Sequence, residues 1–286
     1  MFVSSNLLKD LLPYFKRKLA KSYDEKEIES IFFLTCFYQF NLSRIQVLTE
    51  ERRLSESELL LFRDIVERLT HHEPIQYILG KTEFYGLTFN VSPAVLIPRP
   101  ETEELVDLVI KEFRDKKNLT ILDIGAGSGC IAISIKKNIA ASNVFAIDIS
   151  ADAIAVAEKN AEENKTGITF IKADILTNDL SDLTQLDFII SNPPYIPDSD
   201  KPAMQANVLD HEPHVALFVS NNDPLIFYKR ILELGMVKLK SGGKLFFEIH
   251  PQFSSEIILH LNQAGYHSSE IVKDLSGADR FIIASK

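Results

Sequence analysis

The sequence predicts an α/β protein in which a mostly parallel sheet is covered by helices on both faces, preceded by a small N-terminal helical bundle and a β-hairpin connector. Three observations carry this. From residue 120 onward, short β-rich runs alternate with helical patterns, the signature of βαβ units. Up to about residue 80, apolar residues recur at helical spacing instead. Between them lies a stretch of β-type residues broken by Gly86 and punctuated by Pro93, Pro98 and Pro100. At 286 residues and 45% hydrophobic, the chain can bury a core for one large domain and a smaller one. The expected boundaries are 1–80 for the helical domain, 81–100 for the connector and 101–286 for the α/β domain.

In the helical module, Leu7, Leu8, Leu11, Leu12, Phe15 and Leu19 define a first apolar stripe, with Pro13 restricting where its helix starts. Asp24-x-x-Glu27 caps a second helix with Ile28, Ile31, Phe32 and Phe37 on its apolar side. Ser43-x-x-Gln46 and Ser55-x-x-Glu58 read as capping boxes. The last opens a helix striped by Leu59, Phe62, Ile65, Val66 and Leu69. Phe84 to Val91 reads as a hairpin or an extended connector, and 101–113 as a helix. Expected strands then fall at 120–124, 143–149, 168–173, 187–191 and 244–249, with helices at 130–139, 151–164, 224–239 and 253–264. The runs 266–272 and 281–284 read as a closing antiparallel pair.

Composition narrows the function classes. A formal charge of −9 argues against a surface that grips nucleic acid phosphates throughout. Cys36 and Cys130 are the only cysteines, too few for a disulfide framework or a four-cysteine zinc site. Lys9, Asp10 and Pro13 interrupt the N-terminus where a signal peptide needs an apolar core, and 31–40 is too short to span a bilayer. The expectation is a cytoplasmic protein in a reducing setting.

The chemistry concentrates at the ends of the expected strands. Gly125-Ala126-Gly127-Ser128-Gly129 joins the first strand to a helix, and its glycines let a ligand approach backbone N–H groups. Gly127-x-Gly129-x-x-Ala132 also satisfies the relaxed dinucleotide pattern, so this loop alone leaves a nicotinamide cofactor open. Asp148 ends the next strand, where a carboxylate can accept from both ribose hydroxyls. Its alternative, an N-cap for the following helix, suits Ser150 better. Asp174, beside Ile175, ends the third strand and either lines an adenine pocket or caps a turn. After the fourth strand comes Asn192-Pro193-Pro194-Tyr195. Two prolines remove two N–H donors and extend the backbone before them, leaving carbonyl acceptors, one orientable amide and an aromatic face. Those groups suit a planar group bearing an NH2.

Metal and covalent chemistry find no support. Pro213 breaks the one-face arrangement that His211 and His214 would need for zinc, and His71 and His72 point apart on a helix. No serine or cysteine has a convincing base partner.

The chain resembles the HemK/PrmC-type peptide chain release factor N5-glutamine methyltransferases over almost its whole length. The resemblance rests on Glu73 to Gly80, Phe84-Tyr85-Gly86, Leu96 to Glu103, the glycine loop, Asn192 to Tyr195, and Asp274 to Arg280. It implies a Rossmann-like S-adenosylmethionine-dependent methyltransferase domain whose substrate is the Gly-Gly-Gln glutamine of class-1 release factors. By resemblance, Gly125, Ala126, Gly127, Ser128, Gly129, Asp148, Asp174, Ile175 and Asn192 bind S-adenosyl-L-methionine. Asn192, Pro193, Pro194 and Tyr195 bind the substrate amide, with Asn192, Pro193 and Tyr195 as the catalytic set. The N-terminal module and the connector would recognise the folded release factor, whereas periodicity alone leaves the module equally a small bundle packing on itself. A monomer is expected, with no stable nucleic acid partner and no membrane. Pro98, Arg99 and Glu101 either support the cofactor loop or staple the linker. His72, Ile175 and His250 depart from the family pattern, and Ile175 stands where an aromatic residue often meets adenine. Two alternatives share parts of this pattern: an amino-methyltransferase acting on adenine or guanine in DNA or RNA, and a non-catalytic protein that docks a translation factor.

Overall fold

The computed structural model describes residues 5–183 and 185–286, which form two compact units. The first runs to Gly80 and takes in Gln205–His211 from later in the chain. A 3-10 turn at Leu8–Leu11 leads into the helix Leu12–Leu19, with Pro13 in its first turn, where a missing N–H breaks no intrahelical bond. Helices follow at Glu25–Phe40, Arg44–Thr49, Glu56–Thr70 and Ile75–Leu79. The caps form as the sequence indicates. The Asp24 carboxylate accepts from Glu27 N at 2.8 Å, and both Ser43/Gln46 and Ser55/Glu58 close reciprocal boxes. Phe15, Phe32 and Phe62 meet at the centre, Phe15 edge-on to Phe32 at 5.2 Å and to Phe62 at 6.0 Å. Phe37 departs from expectation: it is 41% exposed, and Thr35 and Cys36 fill the buried face of that helix.

The second unit opens on a hairpin of β1 (Lys81–Phe84) and β2 (Leu87–Asn90). Its two-residue turn places Tyr85 at φ 49° and Gly86 at φ 71°, the left-handed pair whose twist suits a tight hairpin. The main sheet comprises β3 (Leu119–Ile124), β4 (Ser142–Asp148), β5 (Thr169–Lys172), β6 (Leu186–Ser191), β9 (Leu239–Glu248), β10 (Ser268–Lys273) and β11 (Asp279–Ser285). The order across it is β10-β11-β9-β6-β3-β4-β5, with β3, β4, β5, β6 and β9 parallel and the last two strands antiparallel. β7 (Ile196–Pro197) and β8 (Phe218–Val219) form a separate small parallel pair that sequence patterning gives no sign of.

Adjacent residues of the inner strands serve opposite faces. Leu122 and Ile189 join a core with Tyr228, Ile231, Ile257 and Leu261 from the helices Ile226–Lys238 and Ser254–Ala264. Ile121, Phe188 and Ile190 join the other with Leu105, Val109, Ile131 and Ile135 from Pro100–Phe113 and Cys130–Asn138. Burial on both faces explains the near-continuous apolar runs. β9 begins earlier than sequence patterning predicts. Where 244–249 is expected, the strand starts at Leu239 and runs through Gly242 and Gly243 with a register irregularity against β6.

Candidate active site

β3 lies between β4 and β6, so the chain leaves the sheet centre in opposite directions, and the crevice beyond the carboxyl ends of these strands is where open α/β sheets bind ligands. A cavity occupies that crevice. Of the residues singled out from the sequence, Gly125, Gly127, Asp148, Asp174, Ile175, Asn192, Pro193 and Pro194 line it, together with Leu96, Ile149, Leu176, Pro213 and Phe227. Ala126, Ser128, Gly129 and Tyr195 are not among its lining residues.

The glycine loop is tied to the end of β4. Gly125 N and Ala126 N donate to Ile147 O at 3.0 and 2.9 Å, and Gly127 N donates to Asp148 Oδ2 at 2.8 Å. Gly129 sits at φ +79°, where a Cβ would come within 3.0 Å of Ile133 Cδ1 and 3.1 Å of Ala157 Cβ. Only glycine fits, so Gly129 sets the seating of the following helix. Ser128 is buried, and its carbonyl accepts from Asn160 Nδ2 at 2.9 Å.

Asp148 does not cap the next helix; Ser150 does, accepting from Ala153 N at 3.2 Å. The Asp148 carboxylate is instead held from both sides, by Gly127 N and by Ser150 N at 2.9 Å, with its rim on the cavity. Each oxygen retains acceptor capacity beyond that one backbone bond. Asp174 combines both sequence readings: Oδ1 accepts from Leu176 N at 2.9 Å in a turn, and the residue also lines the cavity beside Ile175.

Asn192 follows β6 and enters a buried chain of side chains. Its Nδ2 donates to Thr102 Oγ1 at 3.1 Å, Thr102 Oγ1 donates to Glu248 Oε2 at 2.7 Å, and Tyr195 OH donates to Glu248 Oε1 at 3.0 Å. Thr102 and Glu248 are 3% and 2% exposed. Burial pushes the Glu248 carboxyl up, against the lowering pull of the Thr102 and Tyr195 hydroxyls and of Arg280. Burial, then the Glu248 charge, raises the Tyr195 phenol, which therefore stays protonated as a donor. Sequence reasoning expects Tyr195 to lie on a substrate amide; here its hydroxyl braces Glu248, and its ring stands edge-on to His250 at 6.1 Å. Thr102 and Glu248 are the site-associated residues that motif reading passes over, although Thr102 lies in the Pro98–Glu103 run that carries the family resemblance.

That run ties several parts of the unit together. Arg99 pairs with the buried Glu212, whose other oxygen accepts from Ile97 N at 3.3 Å. Glu103 accepts from Tyr85 N in the hairpin turn at 2.8 Å, and Glu104 from Leu275 N at 3.1 Å. Asp274 accepts from Ser276 and Ala278 and from Arg280 Nε at 3.0 Å; its partners, the Ser276 hydroxyl foremost, hold its carboxyl well below the usual range.

The histidines and cysteines have local roles. His211 Nε2 lies 3.0 Å from His71 O, whereas His214 meets Phe218 edge-on at 5.1 Å. Burial pushes the Cys130 thiol up to about 12, out of reach of a thiolate mechanism at neutral pH.

A doubly wound sheet, a glycine loop locked to a strand-end carboxylate, and an acceptor-rich Asn-Pro-Pro turn on one cavity define an S-adenosylmethionine-dependent methyltransferase. The family model for the methyltransferase small domain matches residues 101–214, and that for the PrmC N-terminal domain matches 10–80. The release factor glutamine methyltransferase of Flavobacterium psychrophilum is 46% identical, covering 96% of this chain and 98% of its own. That of Bacteroides thetaiotaomicron is 43% identical with the same coverage, 96% and 98%. Among solved structures, the hMettl16 catalytic domain in complex with the MAT2A 3'UTR hairpin 6 shares the fold. Its TM-score is 0.58 at 16% identity, over 76% of this chain and 83% of that one. This chain belongs to the release factor glutamine methyltransferase family.

Proposed function

We propose that the protein methylates the side-chain amide nitrogen of the glutamine in the Gly-Gly-Gln motif of class-1 peptide chain release factors, and that Asn192 and the Pro193 carbonyl hold that amide. The observation that carries this reading is the cavity shared by Asn192, Pro193 and Pro194 with Gly125, Gly127 and Asp148. An acceptor-rich clamp and a nucleoside-type subsite are thus adjacent.

The cavity's chemistry fits S-adenosylmethionine. Asp148 offers acceptor positions to a ribose diol, Ile149, Ile175 and Leu176 offer apolar surface to adenine, and the Gly125–Gly127 backbone suits the methionine end. When bound, S-adenosylmethionine supplies an electrophilic sulfonium methyl. The protein's own contribution is orientation. An amide nitrogen is a weak nucleophile because its lone pair is delocalised into the carbonyl. Asn192 Oδ1 and the Pro193 carbonyl accept the two amide protons, fix the nitrogen, and stabilise positive charge developing on it. No strong base is needed beforehand, since the nitrogen becomes acidic as the new N–C bond forms and the S–C bond breaks. It then releases one proton to water, while the sulfur leaves as a neutral thioether.

The N-terminal unit serves as the recognition module for the folded release factor. Ile45 at 73% exposed and Leu48 at 48% put apolar surface on its short third helix, which supports that reading. The protein acts as a cytoplasmic monomer; among the described residues no helix is long and apolar enough to cross a membrane.

Incubation with labelled S-adenosylmethionine and, separately, purified release factor, ribosomal proteins, DNA and RNA tests the proposal. Label should enter the release factor at one glutamine, and labelling of nucleic acid instead would replace this reading with the amino-methyltransferase one. Asn192→Ala should abolish transfer while leaving cofactor affinity within a few-fold; unchanged turnover would sink the clamp.

A further inference from the structure

We propose that Thr102 and Glu248 are positioning residues that decide which way round the Asn192 amide faces. The inference rests on the clamp reading above and deepens it.

An asparagine amide is nearly symmetric in shape but not in chemistry. Turning it by half a revolution exchanges an acceptor oxygen for an NH2 donor. A clamp that must accept protons from a substrate amide fails if its own NH2 points at that substrate. Something must therefore distinguish the two ends.

The buried chain supplies that distinction. Thr102 has one hydroxyl proton, and it is spent on Glu248 Oε2 at 2.7 Å. The side of Oγ1 facing Asn192 consequently presents lone pairs, which only Nδ2 can satisfy, as it does at 3.1 Å. Glu248 has no proton to return when ionised, and its other oxygen already accepts from Tyr195 OH at 3.0 Å. All three donations run one way, toward the carboxylate, and they leave Asn192 Oδ1 as the outward end. The reversed amide would set two acceptors against each other in a buried place, with no proton between them.

The fold fixes these partners through its register. Ser191 pairs with Phe247 on neighbouring parallel strands, so the next residues, Asn192 and Glu248, emerge side by side. Thr102 comes from the first turn of the helix Pro100–Phe113. Burying a carboxylate at this point is unfavourable for stability, which argues against a mere staple between segments. An apolar contact would join them more strongly.

Thr102→Val and Thr102→Ser in the full chain test this. Valine keeps the shape and removes the hydroxyl, whereas serine keeps the hydroxyl. The turnover number of Thr102→Val on release factor should fall about 10- to 100-fold. Its KM for release factor, its calorimetric affinity for S-adenosylmethionine and its melting temperature should stay near wild type, and Thr102→Ser should recover turnover to within a few-fold. If the valine variant loses the fold, Thr102→Ala removes the hydroxyl without adding branching and carries the same expectation. Wild-type turnover in Thr102→Val, an equal loss in Thr102→Ser, or losses that track cofactor affinity and melting temperature would overturn the inference. Asn192→Ala run alongside separates the two readings. An active Asn192→Ala ends the clamp itself, whereas an inactive one beside a fully active Thr102→Val ends only the positioning role.

Discussion

Two carboxylates beside the glycine loop, Asp123 just before it in sequence and Asp148 bonded to it from β4, behave in opposite ways. Asp148 is anchored by two backbone N–H groups and faces the cavity. We expect Asp148→Ala to weaken S-adenosylmethionine binding about 10- to 100-fold, the worth of hydrogen bonds to a charged group, as read by titration calorimetry. Unaltered affinity would remove Asp148 from the ribose role. Asp123 is fully buried on β3; its Oδ2 accepts from Ala132 N at 3.2 Å, and among the described residues its Oδ1 has no hydrogen-bond partner. Burial pushes its carboxyl up to about 7, opposed by the Ala132 N–H and assisted by the Asp148 charge. A carboxyl raised by folding binds its proton more tightly folded than unfolded, so this residue's contribution to stability declines as pH rises from near 4 through about 7. Burial lowers the His250 pKa, which acts in the opposite direction, so the comparison with a variant isolates Asp123. Asp123→Asn should flatten the fall in melting temperature of the ligand-free protein between about pH 4 and 7, the window set by those two values. A wild-type slope in that variant would show that Asp123 does not titrate there. At this scale the Asn-Pro-Pro-Tyr acceptors and Asp148 were legible from residue type and strand-end position. Thr102 and Glu248 were not, because Thr102 lies 90 residues from Asn192 and Glu248 lies 53 from Tyr195, so their contacts exist only after the chain folds.

Among elements, capping chemistry was the most readable, since it is settled within four residues. Ser55→Ala should destabilise the N-terminal unit by about 1 kcal/mol in urea unfolding, through loss of one side of its capping box. The boundary of β9 was less readable, because a Gly-Gly pair has the same local meaning in a loop and in a bulge. Only pairing with β6 distinguishes them. The 98–104 run shows why a motif can look like a linker and act as a hub: Arg99, Thr102, Glu103 and Glu104 each bond to a group distant in sequence. Arg99→Ala would leave Glu212, 1% exposed, without its cation. Because Arg99 is itself partly exposed, we expect a loss of about 1–3 kcal/mol, smaller than for a fully buried pair, measured by urea unfolding. Wild-type stability would mean that Ile97 N and water suffice for Glu212.

Across the whole molecule, the alternation of strand and helix patterns from residue 120 was enough for the fold class, and the family resemblance supplied the cofactor and the substrate chemistry. Recognition of a folded protein belongs to this scale too. If the N-terminal unit docks the release factor, Ile45→Asp with Leu48→Asp should raise KM for release factor about tenfold or more, as expected of exposed contacts at an interface centre. Affinity for S-adenosylmethionine should not change; an unchanged KM would move docking elsewhere. Local rules act over a few residues, and on their own they settled the helix caps, the strand-end positions of Asp148 and Asn192, and the acceptor character of the Asn-Pro-Pro turn. Tertiary structure alone settled which side chains surround Asn192. The direction of a hydrogen-bonded chain depends on where each proton is spent, and that depends on partners that strand register and helix packing bring together.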